Sequence, residues 1–420
     1  MSRIDDPDGE GCRACLTVYR QSAIEAAEAA DARMRSGISL GPLDGAIVTI
    51  KDLFDVKGEK TRAGSRVLAD EASPAEADAP IVRRLRAAGA IIVAKTNMTE
   101  FAFSAVGLNP HFGTPGNPAD RTRVPGGSTS GGAVAVADGM CDIAIGSDTG
   151  GSTRIPAALC GIVGFKPSKQ RVPTEGAFPL SFTLDSIGPM ARSVTDCARA
   201  DAIMAAEDAP ALECASIGRI RLGIVQGLPL QGLDGAVEAR FSEAISALGK
   251  AGLRLSDETL PLFDEMAALM AKGWLPPSEG LAIHRDRLKR RGHELDPIIA
   301  TRLERAAATS AADYIATVQA RARLVRAMGS RLGDLDGLLM PTTPIVAPTM
   351  AEVAAPEAFA TKNMALLKNA AMANSFDLCA ISLPLPHCGC MPVGMMIVAR
   401  NGQDRRLFQV AAAAEAVLQQ

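Results

Sequence analysis

The stretch Gly126 to Lys166, GGSTSGGAVAVADGMCDIAIGSDTGGSTRIPAALCGIVGFK, constrains this chain more than any other. It holds two glycine-and-hydroxyl clusters, Gly126 to Gly132 and Gly146 to Ser152, joined by small apolar residues. Neither cluster suits a helix or a strand. Glycine permits backbone conformations and close approaches that a Cβ would block, and each Ser or Thr adds a hydroxyl. Such loops can aim several N–H groups at one point. Between them, Ala133 to Ala137 and Ile143 to Ile145 predict a buried helix and a short buried strand, which would bring the clusters together. Pro156 and the alanines after it predict a helix start, so the second cluster falls where unpaired N–H groups favour negative charge. An oxyanion hole needs such a place.

Other segments carry the rest of the framework. Residues 13 to 36 predict an amphipathic helix, and Ile47 to Ile50 a buried strand with Lys51 at its C-terminal end. Taken alone, Lys51 reads as a strand-end lysine that snorkels to water. A helix over 78–89 and a strand over 90–95 complete a β-α-β unit with a largely parallel sheet. Residues 184 to 192 read as a loop before a helix over 194–206, and 207 to 218 as a linker. The segment 257–331 is mostly helical, and its basic run, His284 to Arg291, reads as a solvated face.

The two clusters, with Ser128 and Ser152 24 positions apart, resemble the signature sequence of the amidase signature family of serine hydrolases. So does the following Thr153 to Gly161, and the likeness continues through Gly45–Asp52, Thr96–Ala102, Leu184–Arg192, Asp336–Pro344 and Asn374–Gln403. It is strongest over 45–192 and weakest over 257–335. The resemblance implies an α/β fold with a large mixed, mostly parallel central β-sheet covered by helices on both faces. It also implies one domain over 1–420, with its core at 40–210 and 335–420 and a more variable helical segment at about 257–335.

Amide hydrolysis needs a nucleophile, a proton carrier and donors for the tetrahedral oxyanion. The resemblance implies Ser152 as nucleophile, Ser128 as a bridging hydroxyl on a cis peptide after Gly127, and Lys51 as the base. For that role Lys51 must be neutral, and burial beside hydroxyls shifts a lysine that way. The N–H groups of Thr149, Gly150, Gly151 and Ser152 would form the oxyanion hole. Asp148 and Arg154 would brace the loop as an ion pair, with Ser130 and Thr129 hydrogen-bonding within it. Phe101 and Phe103 would wall the acyl pocket. A Ser-His-Asp arrangement stays geometrically open, but none of the four histidines, His111, His284, His293 and His387, lies in the glycine-rich core. The GxSxG elbow is absent, because Gly127 to Gly131 has Thr129 at its centre.

Composition excludes other classes. A net charge of −3 leaves no nucleic-acid footprint, and 4% aromatic residues do not make a base-stacking surface. The N-terminus is polar, and no apolar run approaches the ~20 residues of a membrane span, so a cytoplasmic protein without a membrane partner is expected. Nine cysteines then read as reduced thiols. Cys12-Arg-Ala-Cys15 and His387-Cys388-Gly-Cys390 lack paired metal-site spacing, so neither a metal nor a cofactor is expected. The reading is an amidase that splits a small carboxamide into an acid and ammonia or an amine. Its rivals are the glutamine-hydrolysing subunit of a tRNA-dependent amidotransferase and a non-catalytic binding protein on the same fold. The resemblance also admits a homodimer.

Overall fold

The computed structural model describes residues 1–386 and 389–419. Eleven strands form one sheet: β1 Cys15–Val18, β2 Ile47–Lys51, β3 Ile91–Thr96, β4 Ile143–Ser147, β5 Val163–Lys166, β6 Ile187–Ala191, β7 Arg221–Val225, β8 Arg254–Glu258, β9 Gly337–Pro341, β10 Cys379–Pro384 and β11 Gly394–Ala399. Their spatial order is β1-β3-β2-β4-β6-β5-β10-β11-β9-β7-β8.

Alternation along the strands explains why both faces are covered. In β4, Ile143 and Ile145 join one apolar cluster with Val48 and Ile50, whereas Ala144 joins another with Ala133 to Val136. In β11, Met395 and Ile397 face one cluster while Met396 and Val398 face a third. Successive side chains of a strand point to opposite faces, so strands apolar at every position must be buried on both. The helix Ser130–Ala137, buried from Ser130 to Val136, packs on one side, and its Gly132 leaves room for Ala144 beneath it.

The sheet is mixed, as expected, but the expectation of mostly parallel pairing is corrected. Among the described residues, β2 pairs parallel with β3 and β4, and β7 with β8 and β9; the other six pairings are antiparallel. The difference arises where β6 inserts between β4 and β5, antiparallel to both. Sequence predicts a loop here because the strand contains Gly188 and Pro189. Pro189 is tolerated because it lies beyond the two-residue ladder that β6 shares with β5. The N-terminal helix is also shorter than predicted. Cys15–Val18 pairs with β3 as an edge strand, and the helix Arg20–Arg35 begins after it.

The variable segment forms the helices Pro261–Ala271, Leu275–Arg291, Pro297–Ala306 and Ala311–Arg331. Its basic run is less solvated than expected: His284 is buried, Arg287 pairs with Glu71 at 2.9 Å and Arg291 with Asp70 at 2.9 Å. No helix among the described residues is long and apolar enough to cross a membrane. The described residues contain no His, Cys, Asp and Glu group suited to a metal ion, and His387-Cys388 lie outside them.

Candidate active site

Three parallel neighbours, β3, β2 and β4, end at Thr96, Lys51 and Ser147, so the loops that follow leave the sheet on one side. Ligands in sheets of this kind collect outside the carboxyl ends of the strands. The loop after β3 carries Phe101 to Ser104, and the loop after β4 is the second glycine cluster. The first cluster meets the second through the Thr129 N–H, which donates to the Ser152 carbonyl at 3.3 Å.

Lys51 has no solvent exposure, and its Nζ lies 2.7 Å from Ser128 Oγ and 2.9 Å from Ser147 Oγ. No carboxylate lies within 4 Å of it among the described residues. Burial pulls its pKa down to about 7, against the opposing pull of Asp148 and Asp185. Sequence reasoning does not single out Ser147, although it belongs to the second cluster. Its signal is register: Ile50 pairs with Ile145 on the adjacent parallel strand, so Lys51 follows that pair by one residue and Ser147 by two, at the same end of the sheet.

Ser128 is fully buried, and the Gly127–Ser128 peptide bond is cis. Only glycine fits before it, since a Cβ on Gly127 would lie 2.8 Å from the Ser104 carbonyl oxygen. Ser152 is 7% exposed, towards a cavity of about 600 Å³ that it lines with Thr149 and Gly150. Its hydroxyl makes no hydrogen bond to Ser128 or to any other described residue. Gly151 combines a φ of +121° with a site where a Cβ would lie 2.6 Å from the Ala370 Cβ.

Asp148 and Arg154, both without exposure, form the expected ion pair, with Nη2 at 2.9 Å from Oδ1 and Nε at 3.1 Å from Oδ2. Burial would raise the Asp148 pKa, but the Arg154 guanidinium and hydrogen bonds from Arg154 and Asn374 hold it well below the usual range. The Gly151 N–H donates to Asp148 Oδ1 at 2.8 Å, which corrects its expected place among the oxyanion donors. The N–H groups of Thr149, Gly150 and Ser152 have no assigned acceptor among the described residues. The Thr149 side chain donates to Asp185 Oδ1 at 2.5 Å, and burial raises that carboxyl to about 6.

Two further expectations are corrected. Ser130 Oγ is buried without a hydrogen-bond partner, and Thr129 Oγ1 reaches only the Ser147 carbonyl, at 3.5 Å. Ser130 opens a helix packed tightly on the sheet, where backbone bonds take precedence over its side chain. Phe103 lines the cavity, but Phe101 does not; its ring stacks 3.9 Å from His284 and 6.0 Å from Phe178. Nearby aromatics are indistinguishable in sequence, and the positive φ of Phe101 and Ala102 turns them apart. No histidine lines the cavity among the described residues; His111 binds Glu100 at 3.0 Å instead. The remaining wall comes from segments that sequence does not connect to the site, including Leu180, Met270, Trp274, Arg302, Leu367 and Lys368.

An apolar cavity with hydroxyls, unengaged N–H groups and a buried amine at its floor is the kind of site in which a hydrolase works. The amidase family model matches residues 9–408, and the chain belongs to that family as an amide-hydrolysing enzyme. This sets aside the non-catalytic alternative. It is 35% identical to 2-amino-5-chloromuconic acid deaminase of Comamonas testosteroni, over 95% of this chain and 87% of that protein. It is 34% identical to a glutamyl-tRNA(Gln) amidotransferase subunit of Symbiobacterium thermophilum, over 95% of this chain and 88% of that one. Among solved structures, an amidase superposes with a TM-score of 0.85 at 34% identity, covering 97% of this chain and 92% of its own. A chain of a vestigial protein complex that reveals the evolutionary origins of an s-triazine catabolic enzyme gives 0.88 at 29% identity, covering 100% of this chain and 93% of its own.

Proposed function

We propose that this enzyme hydrolyses a small carboxamide through an acyl ester on Ser152, with Lys51 as base and Ser128 as proton relay. The observation that carries this reading is the fully buried Lys51 amine, 2.7 Å from the Ser128 hydroxyl, with no carboxylate within 4 Å among the described residues. Neutral Lys51 takes the Ser128 proton while Ser128 takes that of Ser152, and Ser152 Oγ adds to the amide carbonyl. The relay requires the Ser152 hydroxyl to turn onto Ser128 when substrate fills the cavity; such contacts are often open without substrate. The N–H groups of Thr149, Gly150 and Ser152 are the donors available to the oxyanion. Collapse breaks the C–N bond, the relay returns its proton to the leaving nitrogen, and ammonia or an amine departs. Water then repeats the sequence on the ester and releases the acid.

The buried thiols Cys15, Cys141, Cys160, Cys197 and Cys379 fit a reducing, cytoplasmic setting. A homodimer rests on the family resemblance alone. The glutaminase reading draws support from the relatives named as glutamyl-tRNA(Gln) amidotransferase subunits. Glutamine hydrolysis that appears only with two partner subunits would favour it. Ser152→Ala should lower turnover of any substrate by about 10⁴-fold or more and abolish labelling by a fluorophosphonate. Near-normal turnover in that variant would refute the nucleophile.

A further inference from the structure

The cavity above Ser152 is mostly apolar, and its described lining residues include two charged ones, Arg302 and Lys368, and no Asp or Glu. Arg302 lies on the helix Pro297–Ala306, half-buried. One face of its guanidinium lies over the Phe103 ring, 4.1 Å from the centroid, and Nη1 donates to the Phe103 carbonyl. These contacts fix the group's plane. Its Nε and Nη2 have no assigned acceptor among the described residues, and no carboxylate lies within 4 Å. Asp296 influences it only from a distance, because its own carboxylate accepts from the Ile298 N–H at 2.9 Å. Burial lowers the Arg302 pKa to about 10, so the group remains cationic at neutral pH. Lys368, from the helix Pro356–Ser375, binds the Gln231 carbonyl and likewise has no carboxylate partner.

Placing a guanidinium in an apolar wall without a counter-ion is unfavourable unless something supplies the missing charge. An arginine held flat, with free donors, matches a carboxylate by paired hydrogen bonds. We infer that Arg302, assisted by Lys368, is an anion subsite selecting amides whose acyl chain ends in a carboxylate. The hydrocarbon between the amide and the carboxylate would lie along Leu180, Met270, Trp274 and Leu367. The inference rests on the amidase reading for its reaction but not for its binding.

The test uses monoamides of dicarboxylic acids from succinamate to pimelamate, each matched to the neutral amide of equal length. Wild-type enzyme should prefer the best carboxylate member over its neutral twin by about a hundredfold or more in kcat/KM. Arg302→Met should reduce that ratio to below about threefold, mainly through KM, and Arg302→Lys should retain part of it. Calorimetric titration of the Ser152→Ala protein with the same series separates binding from chemistry. Arg302-dependent binding of a carboxylate member without wild-type hydrolysis would keep the subsite and overturn the reaction. Equal handling of charged and neutral members, a ratio unmoved by Arg302→Met, or no Arg302-dependent binding overturns the subsite. Circular dichroism of each variant guards against misfolding.

Discussion

Two arginines mark the contrast between the floor of the site and its helical wall. Arg154, in the floor, has no exposure and is matched by Asp148, Asn374 and the Ala370 carbonyl. Arg302, in the wall, has an aromatic face and one carbonyl but no carboxylate within 4 Å among the described residues. The floor arginine finds its counter-charge within the protein; the wall arginine is complementary to something outside it. A buried ion pair of this kind fixes geometry at some cost in desolvation, which suits a loop that must present N–H groups at set positions. An unmatched cation beside a cavity suits recognition.

The contrast breaks most sharply if one partner of the floor's pair is removed. Asp148→Asn would leave Arg154 buried without its counter-charge, and should destabilise the protein by about 3–5 kcal/mol. Chemical denaturation measures this, and a loss under about 1 kcal/mol would show that the brace is dispensable. Gly151→Ala comes next. The added Cβ meets Ala370 and Ile155 at a backbone angle unfavourable to alanine, so about 1–3 kcal/mol should be lost, together with most activity. Retained activity at wild-type stability would mean that this turn is not needed.

The pH profile sharpens the same comparison within the floor, between the paired Asp148 and the unpaired Lys51. The active amine is neutral, so kcat/KM should fall about tenfold per unit below about pH 7 and level off above it. A profile flat to pH 5 would remove Lys51 as base. The sign for stability follows from the same shift. Folded Lys51 binds fewer protons than the unfolded chain between about 7 and the ordinary lysine value of 10.5, so its contribution to stability increases as pH rises through that window. Lys51→Met should lose that pH-dependent increment. The smallest effect is expected in the wall: Arg302→Met should alter stability by no more than about 1 kcal/mol, since only a carbonyl and no buried counter-charge is left behind. A loss matching that of Asp148→Asn would make Arg302 a structural brace like Arg154.

The glycine clusters are legible because their chemistry is local. An approach under 3 Å leaves no room for a Cβ, and a strongly positive φ favours glycine further; Gly127 carries the first requirement in its identity and Gly151 both. Ser128, Ser152 and Lys51 stand out through resemblance, and Lys51 by itself reads equally as a surface residue. Ser147 escapes notice because its partner comes from a neighbouring strand. Phe101 and Phe103 look alike in sequence, yet two left-handed residues send one ring to His284 and leave the other on the cavity. The strand Ile187–Ala191 is hidden by its Gly and Pro.

By itself, then, the chain's sequence determined the two-cluster floor, the buried strand that ends in Lys51, and the helical character of 257–331, since each follows from backbone conformation or periodicity within one segment. Only the tertiary structure decided which N–H groups stay unengaged, which strands run antiparallel, and that Arg302 and Lys368 face the same cavity as Ser152. Those outcomes depend on contacts between residues far apart in the chain, and no local preference encodes the partner that a distant segment will supply.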